Sequence, residues 1–347
     1  MSETTPGPRR YGAGVTGPAL DLDAVARHYR GFAVATRGQS ACFEDWSRGV
    51  AEDAEVLAWI AALPRAKQQP NLVFAAARWN GVPAPGPYAG LRAGLLADDG
   101  AIRDTILTRR TQTNEVGRLA TLLPTFAGLA AEHGPLALLE VGTSAGLCLY
   151  PDRYAYAWPP VGALEGAGPR LTAAARGPLP VPAGPLPVAW RAGVDLDPVD
   201  VRDDRAVAWL ETCVWPEQEE RRERLRAAVD IALADPPRIT QGDLFDLLDE
   251  QVDEAGKHGT VVVFHSAVAL YLDRAGRERL TDRMLELVAA GRCHWVSNEQ
   301  RDILPRVTAT APSGSGVEAD DWHSFVLGVD GRAVALTHQH GAGIRWF

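Results

Sequence analysis

The chain has 347 residues, a formal net charge of −9, and 46% hydrophobic against 23% charged residues. That length allows one enlarged domain or two packed domains, and the composition is that of a folded chain. The acidic balance and the lack of basic clusters disfavour broad electrostatic binding to nucleic acid or anionic lipid and favour small-molecule or protein partners. No apolar run in the sequence is long enough to span a membrane. Cys42, Cys148, Cys213 and Cys293 are widely spaced, which argues against a structural zinc site and for a reduced, cytoplasmic protein. The first twenty residues, rich in Gly, Pro and Thr, read as a loose tail.

From residue 21 to about 133, apolar residues recur at helical spacing, as in Leu22, Val25, Ala26 and Tyr29 or Val116, Leu119, Leu123 and Phe126. A helical N-terminal domain is expected there. Its polar cluster, residues 109–115, is read as a helix start capped by Thr113, with a substrate cleft as the competing reading. From 134 to 347 short apolar runs alternate with helical segments, the pattern of strands joined by crossovers. Strands are expected at 137–141, 188–196, 238–240, 261–264 and 293–297, and helices at 203–213, 217–233, 244–252 and 274–290. An Asp330-Gly331 turn joins the runs 324–329 and 332–338 as a hairpin. The expected fold is α/β: a Rossmann-like, doubly wound, mostly parallel sheet with a C-terminal antiparallel hairpin. Residues 159–190 hold thirteen prolines and glycines and read as an insertion, either a lid or an irregular excursion.

Residues 138–147, Leu-Leu-Glu-Val-Gly-Thr-Ser-Ala-Gly-Leu, predict a buried strand that turns through a glycine loop into a helix beginning at Leu147. Amide groups at such a helix end receive a carboxylate or phosphate. The middle glycine of a dinucleotide fingerprint is missing at Thr143 and Ser144, which weakens a nicotinamide reading and with it a dehydrogenase.

Glu140, Gly142 and Gly146 resemble the first motif of the class I S-adenosylmethionine-dependent methyltransferases. The resemblance implies that Glu140, Gly142, Ser144 and Gly146 form the cofactor loop. It further implies that Asp195 or Asp197 takes the ribose hydroxyls, with Asp200 a third option, and that Asp243 lies beside the adenine. Turn chemistry before Pro198 competes for Asp195 and Asp197, and a helix N-cap competes for Asp243. The 49 positions from Gly146 to Asp195 exceed the roughly 20 of a compact unit, and the insertion accounts for most of the excess.

Over nearly its full length the chain also resembles an uncharacterised bacterial family, a domain of unknown function. That resemblance is carried by residues 139–146, Asp152-Arg-Tyr154, 193–200, Cys213-Val-Trp-Pro216, 264–268 and 295–299, and it implies no reaction.

His265 and Glu299 fall at the ends of the fourth and fifth expected strands, the edge where open sheets bind ligands. His265 is a candidate general base, or alternatively a histidine bonded to backbone. Glu299 is a candidate to orient it or to bind a cationic substrate. The expected activity is methyl transfer from S-adenosylmethionine to a small molecule, and the competing reading is a non-catalytic binding protein. His338 and His340 are expected on one strand face, without the partners a metal site needs. Trp215 is expected to pack locally as a hydrophobic staple.

Overall fold

A computed structural model describes residues 21–112, 114–317 and 324–347. The N-terminal tail and the Thr113 cap lie outside the described residues. The described chain forms two compact units, one comprising residues up to Thr111 together with Trp215–Glu217, the other Gln112–Val214 with Gln218–Phe347.

The first unit contains α1 (Leu22–Thr36), α2 (Ala41–Glu52), α3 (Ala54–Ala61), α4 (Pro70–Trp79), α5 (Tyr88–Leu96) and α6 (Ala101–Thr108). The first three begin where a side-chain carboxylate or hydroxyl accepts from otherwise unpaired amides: Asp21 from Ala24, Ser40 from Phe43, and Asp53 from Glu55 and Val56. The core is aromatic, with Phe43 and Phe74 ring centroids 5.0 Å apart and Trp46 and Phe74 5.3 Å apart. Trp215 is not a local staple. Its ring packs edge-on to Phe32 and tilted against Phe43, and its Nε1–H donates to Asn71 Oδ1 at 3.0 Å. Two residues on, the Glu217 carboxylate accepts from Ser40 Oγ at 2.6 Å and Cys42 N at 2.7 Å.

The second unit opens with α7 (Leu119–His133), then β1 (Leu136–Val141), β2 (Ala155–Trp158), β3 (Gly162–Leu164), β4 (Arg170–Thr172), β5 (Ala174–Arg176) and β6 (Val188–Asp195). It continues through α8 (Asp204–Cys213), α9 (Glu219–Ala234), β7 (Arg238–Gln241), α10 (Leu244–Ala255), β8 (Thr260–Ser266), α11 (Arg274–Ala289) and β9 (His294–Gln300). It closes with α12 (Pro305–Thr308), β10 (Phe325–Val329), β11 (Arg332–Thr337) and β12 (Gly343–Trp346). The fold is therefore α/β, built on a mixed nine-stranded sheet in the order β5-β12-β11-β10-β9-β8-β1-β6-β7. The run β7-β6-β1-β8-β9 is parallel throughout, β10, β11 and β12 pair antiparallel, and β5 joins β12 in parallel.

All six residues of β1 are buried, as a central strand covered on both faces requires. Leu136 and Leu138 belong to the core that holds Phe126 of α7 and Phe264, while Ala137, Leu139 and Val141 belong to the core beneath α10 and α11. The helix α7 thus packs as a layer of the sheet unit rather than with the helices before it. Before β6 begins at Val188, residues 159–190 supply neither a helix nor a long strand. They contribute three-residue strands to a small sheet, β3-β2-β4, and to the far edge of the large one. So many prolines remove ladder donors and confine pairing to short edges. No helix among the described residues is long and apolar enough to cross a membrane.

Candidate functional site

At β1 the chain order of the parallel strands reverses: β6 lies on one side and β8 on the other. The glycine loop leaves β1 at this point. Gly142, Ser144 and Gly146 all take positive φ, at 68°, 53° and 71°. The α-helix expected from Leu147 does not form. Two single 3-10 turns, Leu147–Leu149 and Pro151–Arg153, take its place, because Pro151 lacks an amide donor and disfavours helical backbone at Tyr150.

Five amides of the loop are spent within the protein. Gly142 N and Thr143 N donate to Val194 O at 2.8 and 3.3 Å, and Gly146 N donates to Thr143 O at 2.8 Å. Ser144 N donates to Asp195 Oδ2 at 2.7 Å, and Leu147 N to Asn114 Oδ1 at 2.8 Å. A ligand carboxylate finds neither a helix end nor open amides among these.

Gly142 is also a point of close approach, since a Cβ placed there would stand 2.5 Å from Val268 Cγ1. Gly142→Ala is expected to cost about 1–3 kcal/mol through left-handed strain and this clash. Adding Val268→Ala should return the steric part. Urea unfolding of both single variants and the double checks this, and strict additivity would show that the contact is unimportant.

The acidic candidates sort by environment. Asp195, half-buried at the end of β6, accepts from Ser144 N on one oxygen and from Asp197 N on the other at 2.8 Å. Each oxygen keeps lone-pair capacity. Asp197 is exposed, and its carbonyl accepts from Gln112 Nε2 at 2.8 Å. Between the two aspartates Leu196 is 60% exposed. Asp200 is exposed and bonded to Arg202. Asp243 is exposed and caps α10, accepting from Phe245 N at 2.8 Å. Glu140 is buried and accepts from Thr143 Oγ at 2.6 Å. Burial, aided by the charge of Asp195 and only partly opposed by the Thr143 hydrogen bond, pushes its pKa up to about 8, so it carries a proton at neutral pH. Ser144 Oγ is buried without a hydrogen-bond partner.

The structure brings His265 and Glu299 together, but inside the core beneath α10 and α11. His265 Nδ1 lies 2.7 Å from Glu299 Oε1, and Trp295 Nε1 lies 3.1 Å from His265 Nε2. An indole nitrogen only donates, so Nε2 is the acceptor and Nδ1–H donates to Glu299. Both ring nitrogens are engaged, and His265 has no exposed surface. The same Glu299 oxygen accepts from Val268 N at 2.9 Å and Ala269 N at 3.1 Å, which pins the segment after β8. His338 and His340 do not share a strand face. β11 ends at Thr337 and they lie in the turn to β12, closed by Gly341 N donating to His338 O at 2.9 Å.

A further polar cluster was visible in the sequence only as the tail of the 109–115 stretch. Glu115 is buried and paired with Arg221 and Arg224 of α9. Burial alone would raise its pKa, but the two guanidinium groups and the Gly117 amide more than offset that and hold it down at about 2.

The family model described as "Uncharacterized protein conserved in bacteria (DUF2332)" matches residues 26–346. The chain belongs to this family. A search of curated proteins finds no match. The matched stretch includes residues of both units.

Proposed function

We propose that the second unit is a Rossmann-like domain that binds S-adenosylmethionine and serves methyl transfer to a small molecule. The strand run β7-β6-β1-β8-β9 supports this. Numbered by their order along the chain, these strands read 3-2-1-4-5, the order of doubly wound nucleotide-binding sheets, whose ligands sit outside the strand ends where that order reverses. The observation that carries the reading is at that point: Asp195 is oriented by the Ser144 and Asp197 amides beside the buried, unpartnered Ser144 hydroxyl.

The residues fit an adenosyl group at two points. Asp195 suits two vicinal ribose hydroxyls, because its carboxylate accepts from both and is already aimed by backbone. Leu196 offers an exposed apolar face for the adenine, and Asp243 keeps one oxygen for its amino group while capping α10. At a third point the fit is poorer, since the amides of Gly142, Thr143, Ser144, Gly146 and Leu147 are engaged within the protein and do not face the amino-acid carboxylate. When bound, S-adenosylmethionine supplies an electrophilic sulfonium methyl group. The chain's part is to orient the donor, and no proton transfer is assigned to His265.

Calorimetry with S-adenosylmethionine, S-adenosylhomocysteine and NAD tests this. Binding of both sulfur nucleotides without NAD is expected, with about a tenfold loss of affinity in Asp195→Asn. Absence of heat with either sulfur nucleotide overturns the reading, and binding of NAD alone turns it toward a dehydrogenase. The engaged imidazole of His265 favours a second reading, in which the domain binds the nucleotide without catalysis.

A further inference from the structure

With five of the glycine-loop amides engaged, a carboxylate near the strand ends gains from a cation elsewhere. Three guanidinium groups gather around residues 115–118. Arg221 donates through Nε to Glu115 and through Nη1 to Gln218. Arg224 Nε lies 3.4 Å from Glu115 Oε1 but is buried without a hydrogen bond. Arg118, also buried, donates to the carbonyls of Gln339 at 2.8 Å and Ser266 at 3.1 Å. Among the described residues, Glu115 is the one carboxylate that pairs with any of the three. Arg118 is buried and Arg221 and Arg224 are half-buried, so this local cationic surplus, only partly screened by water, favours an anion.

A small pocket opens beside Glu115 and Arg221, lined also by Gln112, Asn114 and Cys213. Two of these residues tie it to the strand ends, since Asn114 Oδ1 accepts from Leu147 N and Gln112 Nε2 donates to Asp197 O. We propose that this pocket binds the carboxylate of a small molecule, with Arg221, held in orientation by Glu115, as its principal contact and Arg224 adding charge. The planar guanidinium fork matches a carboxylate. Glu115 on the pocket wall disfavours a dianionic phosphate. The adenosyl reading enters only in naming two sources for the carboxylate: the amino-acid end of the sulfur nucleotide, or the acceptor.

The first test uses malonate as a carboxylate probe, with sodium chloride at matched ionic strength as the control. Malonate should raise the Tm of the wild-type chain, because a ligand that binds only the folded state stabilises it. Arg221→Gln should abolish the rise. Because that variant leaves Glu115 without its closest partner and can fail to fold, Arg224→Gln, which keeps the Glu115–Arg221 pair, is the second variant and should reduce the rise. No rise in the wild type, or an equal rise in Arg224→Gln, overturns the site. Affinities for S-adenosylhomocysteine and 5′-methylthioadenosine, which lacks the carboxylate, then separate the sources. About a tenfold loss for the first alone in Arg224→Gln assigns the carboxylate to the nucleotide. Unchanged affinities with reduced malonate protection assign it to the acceptor. Malonate protection that depends on Arg224 without any nucleotide binding keeps the site and removes the adenosyl reading.

Discussion

His265→Ala is expected to lower the free energy of unfolding by about 3–5 kcal/mol. It removes one of the three donors to the buried Glu299 oxygen and the acceptor of the Trp295 indole N–H at once, and leaves a cavity in the core. A general base at the same position would behave differently: its alanine variant would keep its stability and lose only turnover. Urea unfolding of the wild type and the variant distinguishes the two. A loss below about 1 kcal/mol would show that the imidazole is not an integral part of the core. His265→Asn is a useful companion, because it retains a donor toward Glu299 while shortening the reach to Trp295, and its cost should fall between those of the wild type and alanine.

Glu140→Gln is expected to stabilise the protein, increasingly so as pH rises. The ordinary Glu pKa of 4.5 describes the unfolded chain, and burial raises the folded value to about 8. Between these values the unfolded chain loses its proton while the folded chain keeps it, so the wild-type residue contributes a stability that falls with rising pH. At pH 7 the effect is on the order of 3 kcal/mol. Glutamine is already neutral, still accepts from Thr143, and escapes this loss. The difference in unfolding free energy between Glu140→Gln and wild type should be small near pH 5 and grow toward pH 8. A constant difference over that range would place the Glu140 carboxyl in contact with water. Glu115 runs the other way. Its folded pKa is depressed to about 2, so its contribution is complete above about pH 4.5 and is lost as pH falls toward 2.

The sheet was legible because its strands carry their signal locally. Residues 261–264 are an unbroken apolar run between helices, and 188–196 are a largely apolar run interrupted by Arg191 and Asp195; β8 and β6 appear there within two residues. β12 was missed, since Gly343-Ile-Arg-Trp346 is too short to show alternation and forms only by pairing with β11 and β5. The helix after Gly146 was expected from apolar residues 147–150, and Pro151 overrode them. For the site, the strand-end position of Asp195 and the adjacency of His265 and Glu299 could be read from order along the chain. Their surroundings could not. Which atoms a carboxylate or imidazole has left depends on partners such as Trp295 and Ser144, fixed by register between strands. The Glu115 cluster joins residues 106 positions apart, beyond any local pattern.

The placement of Trp215–Glu217 within the first unit bears on synthesis. A nascent chain that has reached Thr111 holds six helices but lacks the indole that packs on Phe32 and Phe43 and the carboxylate that holds the start of α2. At about 5–20 residues per second, the remaining stretch to Glu217 takes roughly 5–20 s to translate. Until Glu217 is made, the helical unit therefore lacks part of its aromatic core and the acceptor at the start of α2.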